Sequence, residues 1–419
     1  MIKTARSLSM KDTVTDGVQE NQADFVTPGT AEFRRASLAL FIASFITFAN
    51  IHLTQPLLPV LAREFSVSPA ASSLTVTVTI FSIGFALLIY GPISDAVGRR
   101  PVMLWTMFLG VIPALLAPLV TTFDQLILIR IAQGLLLAGL PSVAMAYLGE
   151  EISPRALGLA FGLYISGNSI GGMSGRIISG TVAEAYSWQA AFVVLGVIGL
   201  AGVVLFYFLL PPSHHFTPRS AGVRSGAAAM LEHLSNVTLL KAYGIAFMLM
   251  FAFMGVFNYI TFRLSGPPYD LSPAALGWLF LAYLAGTVSS TLTGRIVDVA
   301  GHRVGVILGV FVALAGVALM FMPALWIIIT GLVVFCFGFF AAHTTASTWV
   351  NSKTNKSRAS AAGLYLIFFY AGGSFGSTGL GFIWHPWGWP GVTAGVSVTL
   401  MLALLFGLTM HGTKVKNNS

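Results

Sequence analysis

The loop Gly91-Pro-Ile-Ser-Asp95-Ala-Val-Gly98-Arg99-Arg100 lies between two long apolar segments, and a related loop occurs 203 residues later. The second copy reads Gly294-Arg-Ile-Val-Asp298-Val-Ala-Gly301-His302-Arg303. A glycine, an aspartate, a second glycine and a final arginine keep the same spacing in both copies. A motif repeated between apolar segments predicts that the chain consists of two similar halves in parallel orientation.

The composition of the 419-residue chain indicates which solvent surrounds these halves. Hydrophobic residues make up 56% of the sequence and charged residues only 9%, whereas a soluble domain carries about 25% charged residues. The charges are too few to cover a soluble globule of this size. The 44 glycines and 32 phenylalanines are typical of helices that pack closely in lipid. The composition therefore predicts an all-α membrane protein.

Apolar segments long enough to span a bilayer, about 20 residues each, occur twelve times. They lie near residues 37–58, 72–92, 101–121, 124–148, 157–182, 190–210, 240–262, 273–294, 304–322, 325–349, 359–384 and 390–411. The polar stretch after the sixth segment separates six spans from six, which predicts two pseudo-symmetric six-helix bundles. The predicted regions are a disordered cytoplasmic tail (1–34), the first bundle (35–210), a cytoplasmic linker (211–239), the second bundle (240–411) and a second tail (412–419).

Lysine and arginine are distributed unevenly among the loops. With both termini in the cytoplasm, eighteen of the 22 basic residues lie in cytoplasmic segments. Only Arg63 and Arg263 lie in outer loops, and this asymmetry predicts the orientation through the positive-inside rule. The basic residues form short clusters between spans rather than one basic face, so we expect no nucleic-acid partner.

Titratable residues in two of the cytoplasmic connections invite other interpretations. His214 and His215 are adjacent but have no third ligand nearby in the sequence, so we interpret them as part of a solvated loop rather than a metal site. Glu150 and Glu151 are likewise expected in a solvated loop. We expect no metal, no cofactor and no catalytic residues.

Three motifs resemble those of a known family. The loop Gly91 to Arg100 resembles the signature G-x-x-x-D-x-x-G-R-R of the major facilitator superfamily, and the segment from Leu126 to Gly134, with Arg130, resembles its second motif. The fifth span, from Gly158 onward, resembles the glycine motif of the proton antiporters. It departs from that motif at two positions, with Gly172 in place of a proline and Arg176 in place of the last glycine.

The resemblance extends over the whole chain after the first tail. The sequence around Tyr164-Ile-Ser-Gly-Asn-Ser and Phe340-Ala-Ala-His343 is similar to the YnfM-type inner-membrane transport proteins, within a drug or metabolite:proton antiporter-like branch. The resemblance implies the major facilitator fold, location in a bacterial inner membrane, alternating access, and protons as a partner. The two departures weaken the antiporter inference and leave the inferred fold unchanged.

The repeated loops are the candidate gates. Their glycines allow helices to approach and turn sharply, while Asp95 can accept hydrogen bonds from a helix N-terminus or pair with an arginine. Such contacts would close the cytoplasmic side in one state and break in the other. The alternative is that Arg99 and Arg100 only enforce topology by contacting anionic lipid. The candidate gate residues are Gly91, Asp95, Gly98, Arg99, Arg100, Gly294, Asp298, Gly301 and Arg303.

The fifth span carries a row of glycines. Gly167, Gly171 and Gly175 recur every four residues and form a bare helix face against which another helix can pack closely. Gly158 and Gly172 complete the glycine motif. The neighbouring stripe contains Tyr164, Asn168, Gly172 and Arg176, which are candidates for lining a pathway. Packing without any motion is the alternative role for the glycines.

Arg130 and Arg176 are the charges that lie clearly inside predicted spans. A charge at membrane depth costs several kcal/mol and therefore indicates a functional site by default. The alternative is that each long side chain extends to the outer interface. No aspartate or glutamate lies deep in any predicted span. Two arginines without an acid favour an anionic or a neutral solute.

Other polar residues at membrane depth are candidates for the solute and proton pathway. Gln55 in the first span and Asn258 in the seventh occupy equivalent positions of the two halves. A histidine titrates near neutral pH and can carry a coupled proton, although a structural role is the alternative. The further candidates are Asn50, His52, His343 and Tyr365.

These features favour a secondary active transporter of a small organic solute, such as a drug, sugar or metabolite, with proton-coupled efflux as the leading hypothesis. Proton-coupled import is the nearest alternative. A non-transporting receptor would retain the cavity and lose the gating loops, and both loops are present. An enzyme would need paired acids, a metal cluster or a nucleophile with its base at depth, and a channel fits a duplicated chain less well. We expect a monomer.

Overall fold

A computed structural model describes residues 25–218, 230–354 and 358–410; for residues 298, 358 and 359 the backbone alone is described. Twelve long helices account for most of this part of the chain. They are α1 Ala31–Glu64, α2 Pro69–Val97, α3 Arg99–Leu119, α4 Phe123–Glu151, α5 Leu157–Ala185, α6 Trp188–Leu209, α7 Val237–Leu264, α8 Pro273–Val297, α9 Val299–Leu319 and α10 Leu325–Lys353, followed by α11 and α12 within Arg358–Leu408. Each lies close to one of the twelve predicted spans, which confirms the all-α architecture.

The last two helices are continuous in secondary structure but reverse direction at Gly388, whose φ of 55° lies in the left-handed region. A Cβ atom placed on Gly395 would lie 2.6 Å from Leu380. Fifteen residues of uninterrupted helix would separate these two positions by about 22 Å. The segment is therefore two antiparallel helices, α11 (358–387) and α12 (389–408).

Ten segments of the described chain are long and apolar enough to cross a membrane. One of them, residues 360–408, contains both α11 and α12. Helix α5 is not among the ten, although it is 29 residues long, because its glycines, serines, Asn168 and Arg176 lower its hydropathy. The polar character of α5 is the first sign that this helix does more than contact lipid.

Polar residues begin several helices. The side chains of Thr30, Ser68 and Ser187 each accept a hydrogen bond from the backbone N–H three residues later, at 3.1 Å. Such caps satisfy donors that the first helical turn leaves free. Helix α1 thus begins at Ala31, inside the range 1–34 that was predicted to be a tail.

The repeated loop has the same backbone conformation in both halves. Gly98 (φ 108°) separates α2 from α3, and Gly301 (φ 83°) follows α8 at the equivalent position. Both φ values lie where a residue with a Cβ atom is strained. The sequence repeat therefore corresponds to a structural repeat, in which α1–α6 and α7–α12 form the two six-helix bundles.

We call the end of the molecule that carries residues 25–26, Gly98, Glu151 and 211–218 the linker side, and the end that carries Glu64, Tyr186 and Gly388 the far side. Between described residues, six hydrogen bonds connect the bundles: Gln55 to Asn258 and to Met254, Arg176 to Tyr283, Thr77 to Thr378, Ser377 to the Ser73 carbonyl, and the Ala274 N–H to Glu184. All six lie in the far-side halves of the helices.

Backbone contacts between the bundles are also closest on the far side. A Cβ atom on Gly180 would lie 2.3 Å from the Pro273 carbonyl oxygen, and one on Gly277 would lie 2.7 Å from that of Arg176. A Cβ on Gly381 would lie 2.5 Å from the Ala70 side chain. Glycine is needed at these three positions because α5 meets α8, and α2 meets α11, at backbone distance.

The linker side has a different surface. Val97 is 60% exposed and Val299 is 85% exposed, and a Cβ atom on Gly91, Gly294 or Gly301 would meet nothing within 4 Å. The bundles are therefore joined at the far side and separate toward the linker side.

Candidate functional site

A cavity of about 180 Å³ lies between the two bundles, on the linker side of the contacts that join them. Aromatic and sulfur-containing side chains form most of its wall, among them Phe48, Met250, Phe253, Met254, Phe339 and Phe369. The polar lining consists of His52, Asn168, Ser169, Arg176, Tyr283, His343 and Tyr370. A mostly apolar cavity with a few convergent polar groups is the usual form of a small-molecule site.

The glycine face of α5 positions the residues on its neighbouring face. Cβ atoms on Gly167, Gly171 and Gly175 would lie 2.6, 2.2 and 2.4 Å from the carbonyl oxygens of successive turns of α1. Close backbone contact over three turns fixes the rotation of α5 about its axis. Asn168 and Arg176 therefore point into the cavity, and Gly172 opens the wall between them.

Gly158 does not take part in this packing, since a Cβ atom there would meet nothing within 4 Å. The second bundle repeats the arrangement with Gly372 and Gly376 of α11. Cβ atoms on these residues would each lie 2.1 Å from a carbonyl oxygen of α7. The two equivalent helix pairs are thus packed in the same way.

Arg176 lies at the far-side end of the cavity and is 1% exposed. Its Nε donates to Gln55 Oε1 at 2.6 Å, Nη1 to the Gly172 carbonyl at 2.7 Å, and Nη2 to the Tyr283 hydroxyl at 3.2 Å. The guanidinium also lies 4.5 Å from the centre of the Phe280 ring and 4.8 Å from that of Tyr283. Aromatic faces stabilise a cation in such a position.

Gln55 continues this network across the interface. Its amide donates to Asn258 Oδ1 at 2.8 Å, and Asn258 Nδ2 donates to Ser377 Oγ at 2.6 Å. Ser377 in turn donates to the Ser73 carbonyl at 3.2 Å. The chain of hydrogen bonds that starts at Arg176 therefore crosses between the bundles twice and closes the far side of the cavity.

Arg130 is fully buried and does not line the cavity. Its guanidinium donates to the carbonyl oxygens of Asn50, Ile51 and Thr75 and, at 2.6 Å, to Gln133 Oε1. Two of these carbonyls belong to the last regular turn of α1, which leaves its carbonyls without helical partners. Within α1, regular α-helix ends at His52 and resumes at Leu58 after a single 3-10 turn over Gln55–Leu57. Arg130 therefore stabilises this break in α1. Arg130 and Arg176 are both buried inside the protein, so neither side chain extends to the membrane surface. The alternative that these arginines reach the outer lipid headgroups is therefore wrong.

Asn50 lies in the same part of α1 but does not line the cavity. Its Nδ2 donates to the Ile46 carbonyl at 3.1 Å, one turn earlier in the helix. His52, two residues on, lines the cavity, and its Nδ1 is buried without a hydrogen-bond partner. The structure therefore brings His52, Asn168, Arg176 and His343 to the cavity and places Gln55 and Asn258 in the closure beside it.

His343 approaches the cavity from α10 in the second bundle. The Tyr365 hydroxyl lies 2.9 Å from His343 Nδ1 and 3.1 Å from the His343 carbonyl oxygen. The imidazole ring also packs against Phe369 at 4.6 Å between ring centres. Tyr365 is thus a support for the histidine. Tyr164 has a similar position behind Asn168, which accepts a hydrogen bond from Ser44.

In the first repeated loop the charged residues pair within one bundle. Arg99 binds Asp95 and lies 2.7 Å from Glu150 Oε1, while its Nη1 donates to Ser94 Oγ at 2.7 Å. Arg100 donates to the Tyr207 carbonyl at 3.1 Å. Asp95 is therefore paired with an arginine of its own motif. In the second loop Arg303 is exposed, and the side chain of Asp298 lies outside the described residues.

The prediction that Glu150 and Glu151 belong to a solvated loop is wrong, because both lie on α4 and Glu151 is buried. His215 does lie in a loop, but it is half-buried against Glu151. Glu151 is 2% exposed and accepts from the His215 backbone N–H at 3.0 Å, and its Oε2 lies 3.2 Å from His215 Nδ1. Phe25 stacks on the His215 ring at 4.6 Å between ring centres. The Val26 N–H donates to the Glu151 carbonyl at 3.0 Å. Chain segments before α1 and after α6 therefore fold together against the end of α4, which removes Glu151 from solvent.

Several residues of the site were not predicted. The aromatic cluster of Phe253, Phe339 and Phe369 has no signal in the sequence, because other phenylalanines of the predicted apolar segments, such as Phe81, Phe85 and Phe382, are exposed on the outer surface. Tyr283 and Ser377 were also missed. At the offset of 203 residues that relates Gln55 to Asn258, Tyr283 corresponds to the apolar Ile80, and Ser377 corresponds to Ser174, which was not among the candidates.

The arrangement of two six-helix bundles around a central cavity defines a membrane carrier, and comparisons with known proteins agree. The Major Facilitator Superfamily matches residues 40–377, and the chain belongs to this family. It is 40% identical over 381 residues to the "uncharacterized MFS-type transporter YybF" of Bacillus subtilis (91% of this chain, 94% of that protein). It is 38% identical over 393 residues to the "inner membrane transport protein YnfM" of Escherichia coli (94% of each).

Solved structures show the same fold at low sequence identity. A bacterial homologue of the human lysosomal transporter Spinster, in an inward-facing and unoccupied conformation, matches with a TM-score of 0.72 at 15% identity over 91% of this chain and 95% of that one. The nucleoside transporter NupG matches with a TM-score of 0.73 at 15% identity over 89% of this chain and 99% of that one. This protein is therefore a multi-pass membrane transporter of the major facilitator fold.

Proposed function

We propose that this protein exports a small organic solute across the bacterial inner membrane by alternating access, in exchange for protons. The observation that carries the proposal is the cavity between the bundles, which is closed on the far side by the network from Arg176 to Ser73. A carrier needs such a closure on one side at a time. The same bundles would rock about the cavity to expose it on the other side.

The orientation rests on the distribution of basic residues. Among the described residues, Arg34, Arg35, Arg99 and Arg100 lie on the linker side, together with Arg155, Lys241, Arg295, Arg303 and Lys353. The positive-inside rule therefore supports a cytoplasmic linker side and cytoplasmic termini. With that assignment the conformation described here is open to the cytoplasm, which is the state that would take up a solute for export.

The lining of the cavity supports a neutral or anionic solute. It contains Arg176 and, in the described part of the chain, no carboxylate. Histidine is the residue type that ordinarily titrates near neutral pH, and the lining contains two histidines, His52 from the first bundle and His343 from the second. These histidines are the candidates for carrying a coupled proton, since each faces the space through which the solute passes.

Import by proton symport is the second candidate. The observation that favours it is the departure of Gly172 and Arg176 from the antiporter glycine motif. The same cavity, closed on one side at a time, would serve a symporter, in which the proton and the solute move together.

Alternating access is tested by locking the far side. Thr77 Oγ1 and Thr378 Oγ1 lie 2.8 Å apart across the interface, so cysteines at both positions would be within disulfide distance. In the Cys336→Ala background, the double variant Thr77→Cys and Thr378→Cys should lose transport on oxidation and regain it on reduction. The Thr77→Cys single variant is the matched control. Full transport by the oxidised double variant would contradict alternating access.

Proton coupling is tested in vesicles that contain a pH-sensitive dye and an acid interior. Pools of neutral, anionic and cationic solutes are added outside, and solute-dependent proton release is measured, with Asp95→Asn as a gating control. Antiport predicts proton release as solute enters. His52→Gln or His343→Gln should abolish proton movement while exchange of labelled for unlabelled solute continues. Protons that leave only together with a solute would establish symport instead.

A further inference from the structure

Arg176 is a buried cation whose hydrogen-bonding capacity is only partly used. A guanidinium has five N–H donors, and three have described partners: Gln55, the Gly172 carbonyl and Tyr283. None of these partners is charged. In the described part of the chain, Arg176 takes part in no ion pair. Two N–H groups and the full positive charge of Arg176 therefore remain at the end of the cavity.

His52 provides a second, independent donor at the same place. Its Nδ1 is buried and without a hydrogen-bond partner, and the ring lines the cavity. A Cβ atom on Gly172 would lie 3.5 Å from His52 Cδ2 and 3.3 Å from Arg176 Nη1. Both polar groups thus border the small space that Gly172 leaves open, and in the tautomer protonated on Nδ1 the imidazole can donate to the same ligand.

The other wall of the cavity is mostly apolar and aromatic. Phe253 and Phe339 stack at 4.0 Å between ring centres, and Phe369 lies 6.5 Å from Phe339. Met250 and Met254 complete this surface. A cavity of about 150 Å³ accommodates benzene, so the space of about 180 Å³ has room for one aromatic ring with a small substituent. Aromatic walls favour stacking with a planar ligand.

We propose that the solute is an organic monoanion with a planar apolar body, such as an aryl carboxylate. Its anionic group binds Arg176 and His52, and its ring lies against Phe253 and Phe339. The inference deepens the proposed function by naming the class of solute that this cavity takes. A carboxylate offsets the uncompensated charge and accepts both free N–H groups, whereas an amide offers one acceptor without charge and an ammonium group is repelled.

The first test compares ligands that differ only in charge. Purified protein is titrated with benzoate, phenylacetate and cinnamate, with the amide of each, and with benzylamine, and affinity is measured by calorimetry and by the shift in thermal unfolding midpoint. Charge-assisted hydrogen bonds should make at least one carboxylate bind about tenfold more tightly than its amide. Equal affinity of every carboxylate and its amide, including no binding of any, would overturn the proposal.

The second test neutralises Arg176 without removing it. Gln55→Glu places a carboxylate at the position of an amide whose oxygen lies 2.6 Å from Arg176 Nε. Asn258 can keep a hydrogen bond to the new carboxylate by rotating its amide, and the Ser377 hydroxyl then donates to Asn258 Oδ1 in place of the Ser73 carbonyl. The carboxylate preference should disappear, while the affinity for the amides stays within about twofold.

The matched control is Arg263→Gln. Arg263 also packs on aromatic rings, 5.2 Å from the centre of Trp389 and 5.7 Å from that of Tyr269, but it does not line the cavity. Aryl carboxylate binding should be unchanged in this variant. An unaltered preference in Gln55→Glu, with an unfolding midpoint that shows a folded protein, would contradict the role of Arg176.

These tests fail separately from those of the proposed function. If carboxylates bind but no proton-coupled movement occurs in vesicles, the proposed anion site is supported and proton-driven export is contradicted. If a neutral solute moves with proton coupling and carboxylates are not preferred, proton-coupled transport is supported and the proposed anion site is contradicted.

Discussion

The surroundings of Arg130 and of Arg176 accommodate a buried guanidinium in two different ways. Arg130 is enclosed by backbone carbonyls of α1 and α2 and by Gln133, so its donors are directed at protein. The Arg176 guanidinium lies beside the adjacent rings of Phe280 and Tyr283, whose centres are 5.7 Å apart, and keeps two donors toward the cavity. The comparison shows that depth in the membrane does not by itself identify a ligand site. A buried charge indicates a ligand site when some of its hydrogen-bond donors have no partner in the protein, as at Arg176.

The largest expected difference between the two regions is in stability. Arg130→Gln would leave the Asn50 and Ile51 carbonyls without partners, at about 1–3 kcal/mol for each buried unsatisfied group. We expect a loss of about 2–6 kcal/mol in the free energy of unfolding, measured by denaturant titration of the purified protein. Arg176→Gln should reduce the free energy of unfolding by less. Gln55 keeps its hydrogen bond to Asn258, and the Tyr283 side chain lines the cavity. A larger loss of stability in Arg176→Gln than in Arg130→Gln would contradict this comparison.

A smaller effect is expected from the packing that aims Arg176. In Gly171→Ala the new Cβ atom would lie 2.2 Å from the Phe45 carbonyl oxygen, and forced separation of α5 from α1 should cost about 1–3 kcal/mol. Gly158→Ala on the same helix meets nothing within 4 Å and should be neutral or slightly stabilising. Thermal unfolding midpoints of the two variants compare them directly. Equal midpoints would show that close packing does not fix the rotation of α5.

Tyr283→Phe removes one hydrogen bond to Arg176 and keeps the aromatic face above the guanidinium. The bond is 3.2 Å long, and its loss should reduce the free energy of unfolding by about 0.5–1.5 kcal/mol. Because a third donor of Arg176 becomes free, affinity for aryl carboxylates should be retained. A complete loss of carboxylate binding in this variant would indicate that the tyrosine hydroxyl, rather than the guanidinium, is the main contact.

The smallest effect is expected at Gly172, one residue from Gly171 on the cavity face. In Gly172→Ala the Cβ atom would lie 3.3 Å from Arg176 Nη1, the mobile end of a long side chain. Unfolding free energy should change by less than about 1 kcal/mol, whereas carboxylate affinity should fall a few-fold because the space next to Arg176 narrows. A stability loss as large as that of Gly171→Ala would show that the two faces of α5 are not distinct.

Much of the fold could be predicted from the sequence, because lipid leaves few alternatives to long apolar helices. Gly98 and Gly301 occupy the same position in the two repeated loops, and this repeat predicted the two halves from the sequence alone. The structure shows a positive φ at both residues. The position of Gln55 relative to Asn258 indicated an equivalence, and the structure shows a hydrogen bond between them. Helix ends were less accurate. The start of α1 at Ala31 depends on a cap at Thr30, which the hydropathy of the segment does not reveal.

The roles of the site residues were harder to predict. Glu151 appeared to be a loop residue because its neighbours are polar, and its burial depends on Phe25 and His215, which are distant in sequence. Arg130 and Arg176 had the same signal in the sequence and proved to have different partners. In each case the missing information was the identity of the chain segment on the other side of the side chain.

The sequence by itself determined the solvent of this protein, its twelve helices, its two repeated halves and the location of its unusual charges. These properties follow from composition and from spacing along the chain, which are local. Only the tertiary structure decided that α5 turns Arg176 toward the cavity, that aromatic residues of the second bundle form the opposite wall, and that the far side is closed. Those features depend on contacts such as that between Arg176 and Tyr283, whose partners are 107 residues apart and meet only when the two bundles pack.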